Sequence, residues 1–263
     1  MPEADKEGGK YQVEQPQTTP GFYLKGSHQL DWGMKNRLAR VFAPTTGRTV
    51  MLAIDHGYFQ GPTTGLERID LSIVPLLSSC DALFCTRGIL RSVIPAQSSK
   101  PMVLRASGGP SILREELSDE QIAMDMEDAM RLNAAGVGIQ VFIGGEFETG
   151  SIHNMTKLVD AGLRYGIRSW ASLPLARTWY ATRSISGLPA ASSPNSAHST
   201  SRPITWTKGS RPLPPPVRSP IVMAGGKKLL EVEALTMAYN AVQQGAAGVD
   251  MGRNIFQSDA PKQ

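Results

Sequence analysis

Residues that could carry chemistry follow the carboxyl ends of short apolar runs in this chain. Asp55 comes directly after the run Thr49–Ile54 and is followed by His56 and Gly57. A carboxylate at the end of a buried strand is suited to general acid and base catalysis. Asp55 is therefore a candidate catalytic residue, although an aspartate at a strand end can also serve only to cap a turn. For His56 we prefer a structural interpretation.

Two glycine turns near the end of the chain have the composition of a phosphate-binding site. Gly225 and Gly226 follow the apolar run Pro220–Met223, and Gly252 and Arg253 follow the next run. Backbone N–H groups at glycine turns, together with one guanidinium, can surround a phosphate group. The alternative is that each pair only makes a tight turn. The order favours phosphate, because barrels commonly bind phosphate after their last two strands.

Other polar residues leave alternatives open. Arg87 and Arg105 also end apolar runs, and each could face the site or form an ion pair at a surface or between subunits. Cys80 and Cys85 lack the Cys-x-x-Cys spacing and the histidines of a metal site, so we expect two buried thiols and no metal.

The apolar runs that position these residues alternate with amphipathic segments. The predicted strands are Thr49–Ile54, Ala82–Cys85, Pro101–Leu104, Gly138–Ile143, Pro220–Met223 and Gly248–Met251. The predicted helices are Asp31–Phe42, Ile69–Leu77, Asp119–Ala135, Ser151–Tyr165 and Glu231–Gln244. Continuous apolar strands that alternate with helices indicate an α/β fold with a parallel sheet covered by helices. An eight-stranded barrel would need two more strands.

Residues 168–219 do not continue this pattern. They contain no Asp or Glu, 7 Lys or Arg, 11 Ser and 8 Pro, and neither the strand period nor the helix period persists. We predict a disordered segment that arose from a frame error. A reading shifted by one base permits the strand-like stretch Tyr-Val-Lys-Thr-Tyr-Tyr, whose lysine codon straddles Ser201 and Arg202.

The bulk composition excludes several classes of protein. The net charge is +4, but outside residues 168–219 there are 20 basic and 23 acidic residues, which argues against a nucleic-acid groove. Residues 1–26 form a polar arm without the apolar core of a signal peptide, and no run reaches the ~18 apolar residues of a membrane helix. We expect a cytoplasmic protein with the arm at 1–26, the first part of a barrel at 27–167, the anomalous segment at 168–219 and two final strands at 220–263.

Five stretches resemble the LsrF-type thiolases of the class I aldolase (DeoC/FbaB) family. They are Leu24–Gly26, Leu30–Met34, Met51–Pro62, Cys85–Arg91 and Gly248–Ser258. The likeness covers about residues 20–167 and 220–259. It implies a (β/α)8 TIM barrel that is incomplete here, with strands five and six and the last helix replaced or lost.

The resemblance also implies a reaction in phospho-autoinducer-2 degradation. Enzymes of this type transfer an acetyl group from 3-hydroxy-5-phosphonooxypentane-2,4-dione to coenzyme A, which gives acetyl-CoA and dihydroxyacetone phosphate. A lysine on the sixth strand forms a Schiff base with the substrate, and Asp55 would assist proton transfer. Coenzyme A is then a co-substrate, no bound cofactor or metal is needed, and a ring-based homo-oligomer is expected.

The Schiff-base lysine has no counterpart at the expected place. Lys208 is the only lysine in residues 168–219, and Lys227 and Lys228 match a Gly-Gly-Lys-Lys turn of the family. We therefore expect a chain that is inactive as written. Three interpretations remain: a damaged enzyme, a sequence error that hides a normal enzyme, or a non-catalytic phosphate-binding or assembly subunit.

Overall fold

The computed structural model describes residues 16, 21–24, 26–57, 61, 63–111, 113, 118–172, 199–201 and 220–261. Most of the predicted arm, residues 1–26, lies outside these ranges, and so do residues 173–198 and 202–219 with Lys208.

The described strands form one large parallel sheet and one small ribbon. In chain order they are β1 (Thr49–Ala53), β2 (Ala82–Cys85), β3 (Met102–Arg105), β4 (Ser107–Gly108), β5 (Gln121–Ile122), β6 (Gly136–Gln140), β7 (Arg168–Ser172), β8 (Ser199–Ser201), β9 (Val222–Ala224) and β10 (Gly248–Met251). The sheet order is β8-β7-β6-β3-β2-β1-β10-β9, and β4 pairs antiparallel with β5. Since β1 pairs with the last strand, β10, the sheet curls back on itself.

Helices separate most of these strands. They are α1 (Trp32–Val41), α2 (Ile69–Ser72), a 3₁₀ helix (Val74–Ser79), α3 (Arg87–Ser92), α4 (Met126–Arg131), α5 (Glu148–Tyr165), α6 (Glu231–Gln243) and α7 (Arg253–Phe256). Helix α5 ends at Gly166, whose φ of 68° lies in the left-handed region that favours glycine. This end agrees with the sequence-based prediction.

Alternation along the strands divides the core into two layers. Leu52 and Leu83 belong to a large cluster between the sheet and its helices. Met51, Phe84 and Trp170 belong to an inner cluster, which also includes side chains of α1. The inner face of the sheet is therefore packed around a core of its own, as in a barrel.

The parallel α/β sheet predicted from the sequence is confirmed, and it is incomplete as a barrel. Within the described residues the order ends at β8 on one side and β9 on the other, so no ladder joins these two strands. We predicted that strands five and six are replaced or lost. The structure places strands at both positions, because Arg168–Ser172 pairs with all five residues of β6 and Ser199–Ser201 pairs with β7.

One predicted helix, Asp119–Ala135, is wrong in its first half. Gln121 and Ile122 pair with Ser107 and Gly108, and α4 begins only at Met126. The cause is tertiary, because the buried Glu120 forms an ion pair with Arg105 and cannot lie on an exposed helical turn.

We predict that Gly162→Ala lowers the free energy of unfolding by about 2 kcal/mol, because a Cβ here would lie 2.4 Å from the backbone oxygen of Ile167. Gly150→Ala in the same helix meets open space and should leave stability unchanged or raise it slightly. Urea unfolding followed by circular dichroism measures both. Equal stabilities of the two variants would contradict the packing of α5 against β7.

Candidate active site

The carboxyl ends of β1 and β3 bring Asp55 and Arg105 together. Asp55 follows β1 by two residues and Arg105 is the last residue of β3, so both lie at the same end of the parallel sheet. Arg105 Nη1 donates to Asp55 Oδ2 over 2.7 Å, and both side chains are buried. The sequence left open whether Arg105 faces the site, and the structure places it there.

A second carboxylate completes this buried cluster. Arg105 Nη2 donates to Glu120 Oε1 and Oε2 over 2.6 and 2.8 Å. Arg105 Nε donates to Ser107 Oγ over 3.0 Å, and the Ser107 hydroxyl donates to Glu120 Oε2 over 2.5 Å. Charge-assisted bonds of this length are strong and directional. The Asp55 carboxylate is therefore held in one place by a guanidinium that is itself fixed on another side.

Asn154 on α5 helps to fix the position of Glu120. Its Nδ2 donates to the Glu120 backbone oxygen over 2.8 Å, and both residues are buried. Sequence analysis did not single out Glu120 or Asn154. The only feature of the sequence that could have identified Glu120 is its place within the stretch Asp119–Ala135, which was predicted as a helix.

Asp250 is a further acidic residue of the site that sequence analysis overlooked. It lies on β10 in register with Met51 of β1. Part of the residue stays accessible, but Oδ1 is buried and no described residue donates a hydrogen bond to it. Burial, and secondarily the charge of Asp55, raises the pKa of Asp250 to about 8. Burial therefore favours the neutral acid form of Asp250.

His56 lies between the buried acid cluster and the end of β10. Its Nδ1 is 4.0 Å from Asp55 Oδ1, and its ring meets the edge of Phe256 with centroids 6.2 Å apart. Burial lowers the pKa of His56, the charge of Asp55 opposes this, and Arg253 and Arg105 lower it further. These surroundings favour a neutral imidazole.

The four candidate phosphate-binding residues lie together after β9 and β10. Arg253 Nη2 donates to the Gly226 oxygen over 3.0 Å, which joins the two turns. Gly226 has a φ of 65° and open space where a side chain would be. Gly225 N–H instead donates to the Asp250 oxygen over 2.9 Å, so this group belongs to the sheet. Gly252 is packed so closely that a Cβ would lie 2.4 Å from the Ala53 oxygen.

Asn254 holds the first of these turns and was also missed by sequence analysis. Its Nδ2 donates to the oxygens of Gly225 and Lys227 over 2.9 and 3.1 Å, and its Oδ1 accepts from the Leu229 N–H over 2.8 Å. The Gly226 backbone is therefore presented by a rigid support. Asn254 could have been identified from the sequence because it directly follows Gly252 and Arg253.

The remaining candidates lie elsewhere. Arg87 pairs with Asp128 over 3.1 Å and is about half exposed, so the surface ion pair is the correct alternative for Arg87. Cys80 and Cys85 are free and buried, as expected. The described ranges contain no cluster of three or more metal-binding side chains. No helix within them is long and apolar enough to cross a membrane.

The lysines in the described ranges are exposed or donate to backbone oxygens. Lys35 Nζ donates to the His28 oxygen, and Lys100 Nζ donates to the Cys80 oxygen. Lys157, Lys227 and Lys228 are exposed. Among the residues that the structure describes, the buried cation beside Asp55 is the Arg105 guanidinium, which is not a nucleophile.

We predict that Arg105→Met lowers the free energy of unfolding by about 3–5 kcal/mol, because Asp55 and Glu120 would stay buried without their cation. Arg87→Met removes a partly exposed guanidinium from Asp128 and should cost less than about 1 kcal/mol. Chemical denaturation at pH 7 measures both changes. A small effect of Arg105→Met would show that the cluster is not buried.

Asp250 gives stability a pH dependence that Asp250→Asn should remove. The folded state keeps its proton up to a pKa of about 8, whereas the unfolded value is near 3.8. Unfolding therefore releases a proton between these pH values, and stability falls as the pH rises. Relative to the variant, the parent should lose stability by up to about 1.4 kcal/mol per pH unit between pH 4 and 8. Parallel curves of unfolding free energy against pH would contradict the assignment.

Comparison with known proteins identifies the family of this chain. No family model matches the chain. Over 256 residues, 97% of this chain, it is 52% identical to the 3-hydroxy-5-phosphonooxypentane-2,4-dione thiolase of Yersinia pseudotuberculosis (strain IP 31758) and covers 88% of that protein. It is 53% identical, over the same share of this chain and 86% of the relative, to the thiolase of the same name from Enterobacter sp. (strain 638).

Solved structures with the same fold include fructose-1,6-bisphosphate aldolases. An archaeal fructose-1,6-bisphosphate aldolase, with its catalytic lysine bound to the carbinolamine intermediate, superposes with a TM-score of 0.67 at 20% identity, over 87% of this chain and 95% of that chain. The aldolase from Slackia heliotrinireducens gives 0.69 at 15% identity, over 95% and 87%. The fold is thus an incomplete aldolase-type (β/α)8 barrel, and the chain belongs to the family of 3-hydroxy-5-phosphonooxypentane-2,4-dione thiolases.

Proposed function

We propose that this chain keeps the substrate pocket of the thiolase family but, as written, lacks the amine that acetyl transfer to coenzyme A requires. The observation that carries the proposal is the distribution of lysines. The strand at the sixth position, Ser199–Ser201, contains none, and Lys208 is the only lysine in residues 168–219. The lysines of the described ranges are exposed or donate to backbone oxygens.

The retained pocket would bind a phosphorylated ketone. Gly226, Gly252 and Arg253 would hold its phosphate through backbone N–H groups and one guanidinium. Asp55, held by Arg105, lies at the same end of the sheet and would accept or return a proton. These groups match the substrate that the relatives' name gives, which carries a phosphate, a hydroxyl and two ketones.

The missing amine would stop the reaction at its central step. Cleavage of a carbon–carbon bond next to a ketone leaves an electron pair on carbon, and an iminium formed with lysine accepts that pair. A guanidinium such as that of Arg105 stays protonated and cannot form the iminium. Substrate could bind here, and the acetyl group would stay attached.

Buried donors in β7 support the proposed frame error. Arg168 Nη1 and Trp170 Nε1 are both buried, and no described residue accepts a hydrogen bond from either. Burial lowers the pKa of Arg168, since it removes the guanidinium from water and no described acidic residue forms an ion pair with it. Two unsatisfied donors at alternate positions of one strand are unusual in a native core. They fit a segment whose residues were not selected for this sheet.

A second candidate is a non-catalytic phosphate-binding or assembly subunit. The observation that favours it is an exposed apolar surface on α6, where Val232, Leu235 and Tyr239 are 75%, 71% and 65% exposed. The homo-oligomer, the cytoplasmic location and coenzyme A as the co-substrate remain parts of the proposal.

We predict that the chain forms no covalent adduct when it is treated with dihydroxyacetone phosphate and sodium borohydride. Borohydride reduces an iminium to a stable secondary amine, so a Schiff base would appear as an increase in protein mass. The Yersinia pseudotuberculosis thiolase, treated in the same way, serves as the positive control. An adduct that maps to a lysine of this chain would show that an amine reaches the pocket.

The gene itself distinguishes a damaged enzyme from a sequence error. Resequencing that confirms the codons for residues 168–219 would exclude the sequencing error. A restored frame that encodes a lysine across Ser201 and Arg202 would identify a normal enzyme.

A further inference from the structure

Asp250 faces the inside of the curled sheet. Its neighbours on β10, Val249 and Met251, pack with Ala241 in the cluster under α6, which lies outside the sheet. Successive strand residues point to opposite faces, so Asp250 points inward, as does its register partner Met51. An acidic side chain thus lies within the inner layer, below the turn that carries Gly252 and Arg253.

Among the residues that the structure describes, no cation forms an ion pair with Asp250. On one side, Asp55 and His56 follow β1, Arg105 ends β3, and Glu120 precedes β5. On the other side, the neighbouring strand β9 contains no titratable residue. The Arg105 guanidinium already binds both Asp55 and Glu120. Arg253 lies after β10 and donates to the Gly226 oxygen. A negative charge on Asp250 would add to a cluster that already carries one excess negative charge, so the neutral acid is favoured.

We propose that Asp250 is a further ligand-positioning residue of this pocket, which as a neutral acid donates its O–H to a carbonyl or hydroxyl oxygen of the phosphorylated ligand. The proposal rests on the proposed function, because it assumes that phosphate binds at Gly226, Gly252 and Arg253. Its structural basis is the inward position and the buried Oδ1, to which no described residue donates.

The spacing suits a short sugar phosphate. Asp250 and Gly252 lie two residues apart and on the same side of the strand, which corresponds to a separation of about 6–7 Å. A three-carbon ketone phosphate spans a comparable distance from its phosphorus to its far hydroxyl. With its phosphate beside Gly252 and Arg253, such a ligand would place its oxygens near the Asp250 carboxyl.

The test compares binding of two probes, dihydroxyacetone phosphate and inorganic phosphate, to the parent, Asp250→Asn and Asp250→Leu by isothermal titration calorimetry at pH 7. Asp250→Asn keeps a neutral donor and should bind dihydroxyacetone phosphate within about threefold of the parent. Asp250→Leu has no donor and should bind it about tenfold more weakly, the expected effect of one hydrogen bond. Inorganic phosphate does not reach Asp250, so its affinity should be the same in all three proteins.

The pH dependence separates a role in binding from a role in folding alone. Between pH 7 and 9 the parent should lose about tenfold in affinity for dihydroxyacetone phosphate relative to Asp250→Asn, because the protonated fraction of Asp250 falls. If Asp250→Leu binds dihydroxyacetone phosphate as the parent does, or if Asp250→Asn shows the parent's pH dependence, the role of Asp250 is overturned. If the parent binds neither probe, the proposed phosphate pocket is overturned and this inference with it.

Discussion

The ion pair between Arg105 and Asp55 is the interaction on which the rest of the site depends. A buried guanidinium must be paired, and Arg105 is paired with both Asp55 and Glu120. Glu120 lies next to the small ribbon of β4 and β5, which explains why this stretch is not helical. The pairing of Arg105 therefore fixes both the loop that carries Glu120 and the position of the Asp55 carboxylate.

The curled sheet brings the two halves of the site together. Asp55 and Arg105 belong to the first part of the chain, whereas Gly226 and Arg253 belong to the last part. The parallel pairing of β1 with β10 joins these two parts. The candidate site is therefore assembled although no ladder joins β8 to β9 among the described strands. For this reason the proposed phosphate site does not depend on the strand at the sixth position.

The sequence predicted the strands better than the polar contacts. Continuous apolar runs placed the strands of the first and last parts of the sheet within a few residues. The helix at Asp119 was wrong because a long-range ion pair overrode local periodicity. Asp250 was missed because its role as a candidate depends on two properties of the fold. Its side chain lies on the inner face of β10, and no described residue donates a hydrogen bond to its buried Oδ1. Neither property can be read from a single run of residues.

The strand at Arg168–Ser172 combines complete backbone pairing with buried side-chain donors that no described residue accepts from. The backbone of β6 offers a full ladder, and Trp170 gains apolar contacts that include a stacked ring of Phe42 at 5.9 Å between centroids. Backbone pairing and burial of one large ring are available to almost any segment. Satisfied side-chain donors are not, and Arg168 and Trp170 each leave one buried without a described acceptor. The unsatisfied donors therefore bear more directly than the strand itself on whether this segment evolved in this barrel.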